Sequence, residues 1–145
     1  MSVNGFSIGH DLSVDIVDIV TGKQVVFPLI TGFSAEPQTK QISSEPLNGP
    51  PLYAENPNGW RGTIDFDRTD NSIDIFFAGR EAAYFKGVSL FNVTITETIQ
   101  EKDGTTTQFR FPNCALKYSQ AGQWKASDKV SLRLDWMGST RIQVL

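Results

Sequence analysis

The stretch Phe91-Asn92-Val93-Thr94-Ile95-Thr96-Glu97-Thr98-Ile99-Gln100-Glu101-Lys102-Asp103-Gly104-Thr105-Thr106-Thr107-Gln108-Phe109-Arg110-Phe111 decides the kind of fold this chain adopts. Phe91, Val93, Ile95 and Ile99 fall on one parity, and Asn92, Thr94, Thr96, Thr98 and Gln100 on the other. That is the two-residue period of a half-buried strand. Lys102-Asp103-Gly104 then turns the chain, and Phe109 and Phe111 follow on the return. A three-residue loop with Gly104 in the left-handed conformation pairs Ile95 with Phe111 and Thr96 with Arg110. A two-residue Asp-Gly turn would set Ile99 against Gln108 and mix the faces, so the three-residue loop is expected. The product is a long ribbon with one apolar face and one face of threonines, Gln108 and Arg110.

Strand patterns dominate the rest of the chain. Leu12, Val14 and Ile16 alternate with Asp11, Ser13 and Asp15, and Val25, Phe27 and Leu29 follow Thr21-Gly22. Folding back there pairs Ile16 with Phe27 and Val14 with Leu29, and Val17 with Val26 on the other face. Trp60, Gly62, Ile64 and Phe66 alternate with Arg61, Thr63 and Asp65. One helix follows: Asp70, Asn71 and Ser72 offer caps, Ile73, Phe76, Phe77 and Tyr84 recur near the helical period as a core stripe, and Lys86-Gly87 suits its end. Past the ribbon come Cys114, Leu116 and Tyr118, then Val130, Leu132, Leu134 and Trp136, then Ile142 and Val144.

Between Ser34 and Gly59 the alternation lapses. Pro37, Pro46, Pro50, Pro51 and Pro57 fall here, with Asn48-Gly49 and Asn58-Gly59 turns. A segment this long without periodicity is uncommon in a compact domain and is usually functional or disordered. Ile42, Leu47, Leu52 and Tyr53 make it too apolar for a solvated linker. An arm that becomes ordered against another surface fits both observations. The expected class is mainly β: an antiparallel sandwich or barrel of about seven or eight strands with one flanking α-helix.

The 145 residues, with ten Phe and three Trp, suffice for one domain spanning 1–145. A chain of this size buries roughly two thirds of the surface its unfolded form exposes. No run approaches the ~18 apolar residues of a membrane span. Met1 to Gly9 lacks the basic start and apolar stretch of a signal peptide, so residence in a cytoplasm, or in a particle assembled there, is expected. A net charge of −3 argues against tight phosphate binding.

Chemistry-bearing patterns fail one by one. A single cysteine, Cys114, excludes an internal disulfide and a thiolate-rich metal site, and within a strand it reads as a core thiol. His10, the only histidine, has nothing tying it to Cys114 or to a serine. No phosphate loop, nucleophile elbow or two-histidine helix is present. Asp11 with Asp15, or Asp65 with Asp67, would suit glycoside hydrolysis only with one acid in a dry pocket. Asp11, Asp15 and Asp18 lie in a strand pattern without the glycine-bearing loop of a calcium site. An enzyme, a cofactor and a bound metal are therefore not expected.

The order of elements resembles the tail tube proteins of contractile-tailed bacteriophages, which share a fold with type VI secretion tube proteins. The likeness rests on the strand pair, the long loop 34–59, the strand into one helix, the Thr-rich ribbon and the closing run Gly122-Gln123-Trp124-Lys125-Ala126-Ser127-Asp128-Lys129-Val130 through Leu134 and Trp136. It implies a structural subunit forming hexameric rings that stack into a tube in the virion tail, assembled in the host cytoplasm, with sheath, tape measure and baseplate proteins as partners. DNA would pass through the lumen without specific binding. The two hairpins would join one inner barrel. Asp11, Ser13, Asp15, Thr94, Thr96, Thr98, Gln108 and Arg110 then become lumen candidates. Ile42, Leu47, Leu52, Tyr53 and Trp60 become contacts between subunits or rings, with 34–59 as the inter-subunit loop. Arg110 runs against a weakly repelling conduit unless an acid from a neighbour pairs with it. The competing readings are a carbohydrate-binding β-sandwich module, with Tyr53, Trp60 and Trp124 stacking on sugars, and a baseplate or tube-initiating ring protein of the same fold.

Overall fold

The computed structural model describes residues 4–19, 22, 24–25, 30–87 and 92–145. A 3-10 turn, Gly9–Asp11, leads into β1 (Leu12–Asp18), followed by β2 (Gln24–Val25), β3 (Ile30–Phe33), β4 (Glu36–Ser44) and β5 (Leu52–Asp67). Helix α1 (Ser72–Phe85) precedes β6 (Val93–Gln100), β7 (Thr106–Gln120), β8 (Ser131–Gly138) and β9 (Ile142–Gln143). One antiparallel sheet runs β2-β1-β6-β7-β8-β5-β3, with β4 added on β5 and β9 on β7, and it curls into a half-barrel. The mainly β class with one helix is the one the alternation predicts.

The β6–β7 ribbon has the expected register, Ile95 opposite Phe111 and Thr96 opposite Arg110. Its loop closes through Glu101 N–H to Thr105 O at 2.9 Å, and Gly104 takes φ +87°. Asp103 Oδ1 accepts from the Thr105 amide and hydroxyl at 3.0 and 2.6 Å, which holds the turn from inside.

The first hairpin is tighter than expected. Ile16 faces Val25 and Val17 faces Gln24, a slip of two residues from the predicted partners Phe27 and Val26. Gly22, at φ +68°, donates to Asp18 O at 2.9 Å and closes the turn early. Because strand side chains repeat every two residues, this slip leaves every side chain on its expected face. The expected Val14–Leu29 pair involves a residue outside those described.

The segment 34–59 is not an irregular arm. Glu36 to Ser44 pairs with Arg61 back to Leu52, with a register shift between Pro37 and Thr39. The tip, 45–51, carries Pro46, Pro50 and Pro51, while Pro37 and Pro57 sit beside the irregularity, where a missing amide is tolerated. The alternation was invisible because both faces of the outer part lie in solvent: from Thr39 to Asn58 every residue is exposed.

Ile16, Val93, Ile95, Phe111 and Cys114 from one half of the sheet meet Ile64, Phe66, Leu132, Leu134 and Trp136 from the other, with Ile73 of the helix. Phe111 sits centrally, 4.6 Å from the Trp136 ring and 5.8 Å from that of Trp60. Strand β7 serves both halves by bending at Asn113, at φ +56°: Thr106 to Phe111, and Cys114 just past the bend, pair with β6, and Ala115 onward pairs with β8. Cys114 is buried as expected, its thiol donating to Phe111 O at 3.2 Å. Gly62 faces Trp136 across the ladder, where a Cβ would overlap Ser34 O and stand 3.0 Å from Trp136 Cε2.

Helix α1 starts where Asp70 Oδ1 accepts from the Ser72 amide and hydroxyl at 3.0 and 2.7 Å, and ends at Gly87 with φ +84°. Ile73 is buried, and Phe77 lies 4.5 Å from the Tyr118 ring. Tyr84, expected in the same stripe, is 59% exposed because the last turn runs past the edge of the core.

Candidate assembly surfaces

Register brings most of the predicted lumen residues onto one face. Ser13 lies opposite Thr98 and Asp15 opposite Thr96, while Thr98 faces Gln108 and Thr96 faces Arg110. Two polar rows therefore cross β1, β6 and β7: Ser13–Thr98–Gln108 and Asp15–Thr96–Arg110. Gln108 Nε2 donates to Thr98 Oγ1 at 3.2 Å, and Gln24 Nε2 donates to Asp15 Oδ1 at 3.0 Å. Thr94 continues the face opposite Val17. Arg110 shares its row with an acid, two strand spacings or about 10 Å away.

Asp11 does not belong to this face. It precedes β1 in the 3-10 turn, is only 4% exposed, and accepts from the Ile8 amide at 3.0 Å. The alternation counted it one residue too far into the strand.

The outer part of the β4–β5 hairpin collects four of the predicted contact residues. Leu47 at the tip is wholly exposed, and Ile42, Leu52 and Tyr53 are 47%, 64% and 68% exposed. Apolar side chains standing this far into solvent on an extended hairpin are what a partner surface would cover. Trp60, the fifth, stands apart from these four: it is half-buried, edge-on to Phe111, and roofed by the Arg141 guanidinium at 4.2 Å. Trp124 is also faced by a guanidinium, Arg68 at 5.5 Å. The Trp60 indole is thus not a bare platform for a sugar, whereas Trp124 remains 70% exposed.

Sequence reading missed one group. Glu97 stands on the apolar parity of β6, between Ile95 and Ile99, and is 8% exposed opposite Val14 and Phe109. Burial raises its carboxyl above the ordinary range, and the charge of Arg141 works in the other direction. Arg141 itself is clasped between Trp60 and Phe109, 4.1 Å from the latter. An acid on an otherwise apolar parity was the available signal, but its partner lies 44 residues away in sequence.

Along β5, β7 and β8 an open cleft of about 420 Å³ is bordered by Glu36, Arg61, Lys117 and Asp135, of mixed sign. Nearby, Arg133 binds Asp65 at 2.6 Å and Lys129 binds Asp67 at 3.3 Å. Exposed pairs of this kind contribute about 0–1 kcal/mol each. Among the described residues no three His, Cys, Asp or Glu side chains are grouped so as to hold a metal ion.

No protein-family model matches the chain, and neither does any curated protein. Solved structures do. A chain of the anti-feeding prophage cap, which terminates that particle's tube, superposes with a TM-score of 0.65 at 10% identity, covering 99% of this chain and 93% of that one. A chain of the sheath–tube complex of the PVC extracellular contractile injection system gives 0.64 at 12% identity, covering 97% and 93%. The SPP1 tail tube gives 0.61 at 12%, covering 94% and 78%. The chain thus has the fold of the tube-building subunits of contractile injection systems and phage tails. More narrowly, it is the tail tube fold over nearly its whole length.

Proposed function

We propose that this protein is a structural subunit of a phage-type tail tube, whose copies close into hexameric rings and stack. The observation that carries the reading is the β4–β5 hairpin, whose outer residues from Thr39 to Asn58 are all exposed and include Ile42, Leu47, Leu52 and Tyr53. In a lone subunit this is a liability; against the next copy it is a hydrophobic anchor. The tail tube fold, shared with chains of a cap, a sheath–tube complex and a tail tube, supports the same assignment.

In the ring, β1, β6 and the first half of β7 would join those of neighbouring copies in one inner barrel, removing open sheet edges. The rows Ser13–Thr98–Gln108 and Asp15–Thr96–Arg110 would line the lumen, balancing one acid against one base per subunit. A polar, nearly neutral wall lets DNA slide without phosphate neutralisation. Sheath, tape measure and baseplate proteins are the expected partners, and the virion tail the expected location.

The test is negative-stain electron microscopy of concentrated protein, with the deletion of residues 38–56 beside it. Hollow tubes from the parent and folded monomers from the deletion support the proposal. Normal tubes from the deletion exclude the hairpin's role. Single rings that never stack would instead mark a ring component of the cap or baseplate type. Dispersed monomers that bind soluble glycans would move the assignment to a carbohydrate-binding module.

A further inference from the structure

Strand β9 is the continuation of β8 along one edge of β7. Ala115 lies opposite Met137, and five residues on in each direction Arg110 lies opposite Ile142. The two strands are one line of pairing, interrupted where β7 bends. Past the interruption the pairing is slight. Only Arg110 and Phe109 have ladder partners in β9, supplemented at Gln108 by Val144 N–H to Gln108 O at 2.8 Å and two long bonds of 3.4 Å, Gln108 N–H to Leu145 O and Leu145 N–H to Gln108 O. Ile142, Val144 and Leu145 are 51%, 40% and 62% exposed, so β9 is not anchored by burial. What fastens it is Arg141, held between the Trp60 and Phe109 rings at 4.2 and 4.1 Å.

Beneath this short strand lies the edge of β7 from Thr106 to Phe111, six residues of main chain on the side away from β6. It bounds one side of the β1–β6–β7 run. A two-residue strand blunts such an edge but offers too little main chain to template a seam with another molecule. The β7 edge offers a full strand's worth, the geometry that strand addition uses.

We propose that the β7 edge 106–111 is a strand-addition surface for a second copy of this chain, occupied in the single subunit by its own β9 and vacated when the neighbour pairs. Arg141 is the clasp that keeps it covered. The inference rests on the self-assembly reading above and adds the step that exposes the seam.

A reversible staple tests it. Gln108 and Val144 share a ladder hydrogen bond, so the adjacent pair Phe109 and Gln143 is of the close, non-hydrogen-bonded kind and within disulfide reach. In the Phe109→Cys/Gln143→Cys variant, oxidation locks β9 onto β7. Sedimentation of assembled material is expected to fall at least about tenfold in the oxidised form and to recover on reduction. Equal assembly by both forms overturns the inference.

Deletion of residues 140–145 supplies the second measurement. The folded deletion variant should assemble at lower protein concentration than the parent. A need for higher concentration overturns the inference, because β9 would then belong to the seam. If the parent stays monomeric, the deletion still decides: assembly by the deletion alone supports a guarded edge. Monomers from both overturn this inference and the assembly reading together.

Discussion

Glu97 shows how one side chain can work against the stability of its own strand. Burial between Ile95 and Ile99 disfavours its charged form, and only the Arg141 charge offsets that. Because its carboxyl is raised in the folded state, its stabilising contribution is fully present below the unfolded value, ordinarily near 4.3. That contribution is lost as the pH rises through the raised folded value. Glu97→Gln should therefore stabilise the protein at pH 7, with the gain vanishing below about pH 4. Thermal melts of both proteins at the two pH values measure this, and a Gln variant less stable at pH 7 would mean that the Arg141 attraction outweighs burial. Gly62 makes the opposite case, where the absence of a side chain is what packs. A methyl there meets Ser34 O and the Trp136 indole, both fixed by the sheet. Gly62→Ala is expected to cost at least about 2–3 kcal/mol, or roughly 6–12 °C in Tm. An unchanged melting temperature would show that β3 can move away from β5.

At the scale of elements, the β6–β7 ribbon is specified twice, by its alternation and by its loop. Gly104 at φ +87° sets the loop length, and Asp103 accepts from both donors of Thr105, its amide and its hydroxyl. Gly104→Ala should cost about 1–2 kcal/mol without shifting the register, since a one-residue slip would expose Val93, Ile95 and Phe111. Amide exchange read by NMR distinguishes the two cases: faster opening with the same cross-strand contacts is expected, and new Ile99–Gln108 contacts would contradict the argument. Helix α1 draws less on its own sequence than on Tyr118, whose ring packs on Phe77 and whose hydroxyl donates to Asp74 Oδ1 at 3.0 Å. Burial, then that hydrogen bond and the charge of Asp74, push the Tyr118 phenol upward.

At the scale of the whole molecule, the half-barrel and the projecting hairpin divide the labour. The half-barrel holds the core, and the hairpin contributes nothing to it beyond Thr39. Leu47→Glu/Tyr53→Glu should accordingly leave the monomer's stability within about 0.5 kcal/mol of the parent while abolishing assembly. Circular dichroism melts and sedimentation together check it. A large loss of stability would place the tip against its own domain, and unimpaired tubes would remove it from the interface.

Much of this architecture was legible in the residues. The ribbon, the β8 core strand, the helix with its Asp70 and Gly87 ends, and the buried Cys114 follow from periods of two and 3.6 and from glycine's freedom at positive φ. These are local properties, and a strand with one wet and one dry face writes them directly into the chain. The β4–β5 hairpin was not legible because both its faces are wet, so no alternation marks it. The β1–β2 register was ambiguous because a slip of two preserves every face. Asp11 was misplaced because its burial depends on a capping turn rather than a strand. Most of all, the cluster of Trp60, Glu97, Phe109 and Arg141 and the covering of β7 by β9 join residues from separate strands. Their meeting is decided by the curl of the sheet and the bend at Asn113, where packing forces are long-range in sequence and leave no periodic trace.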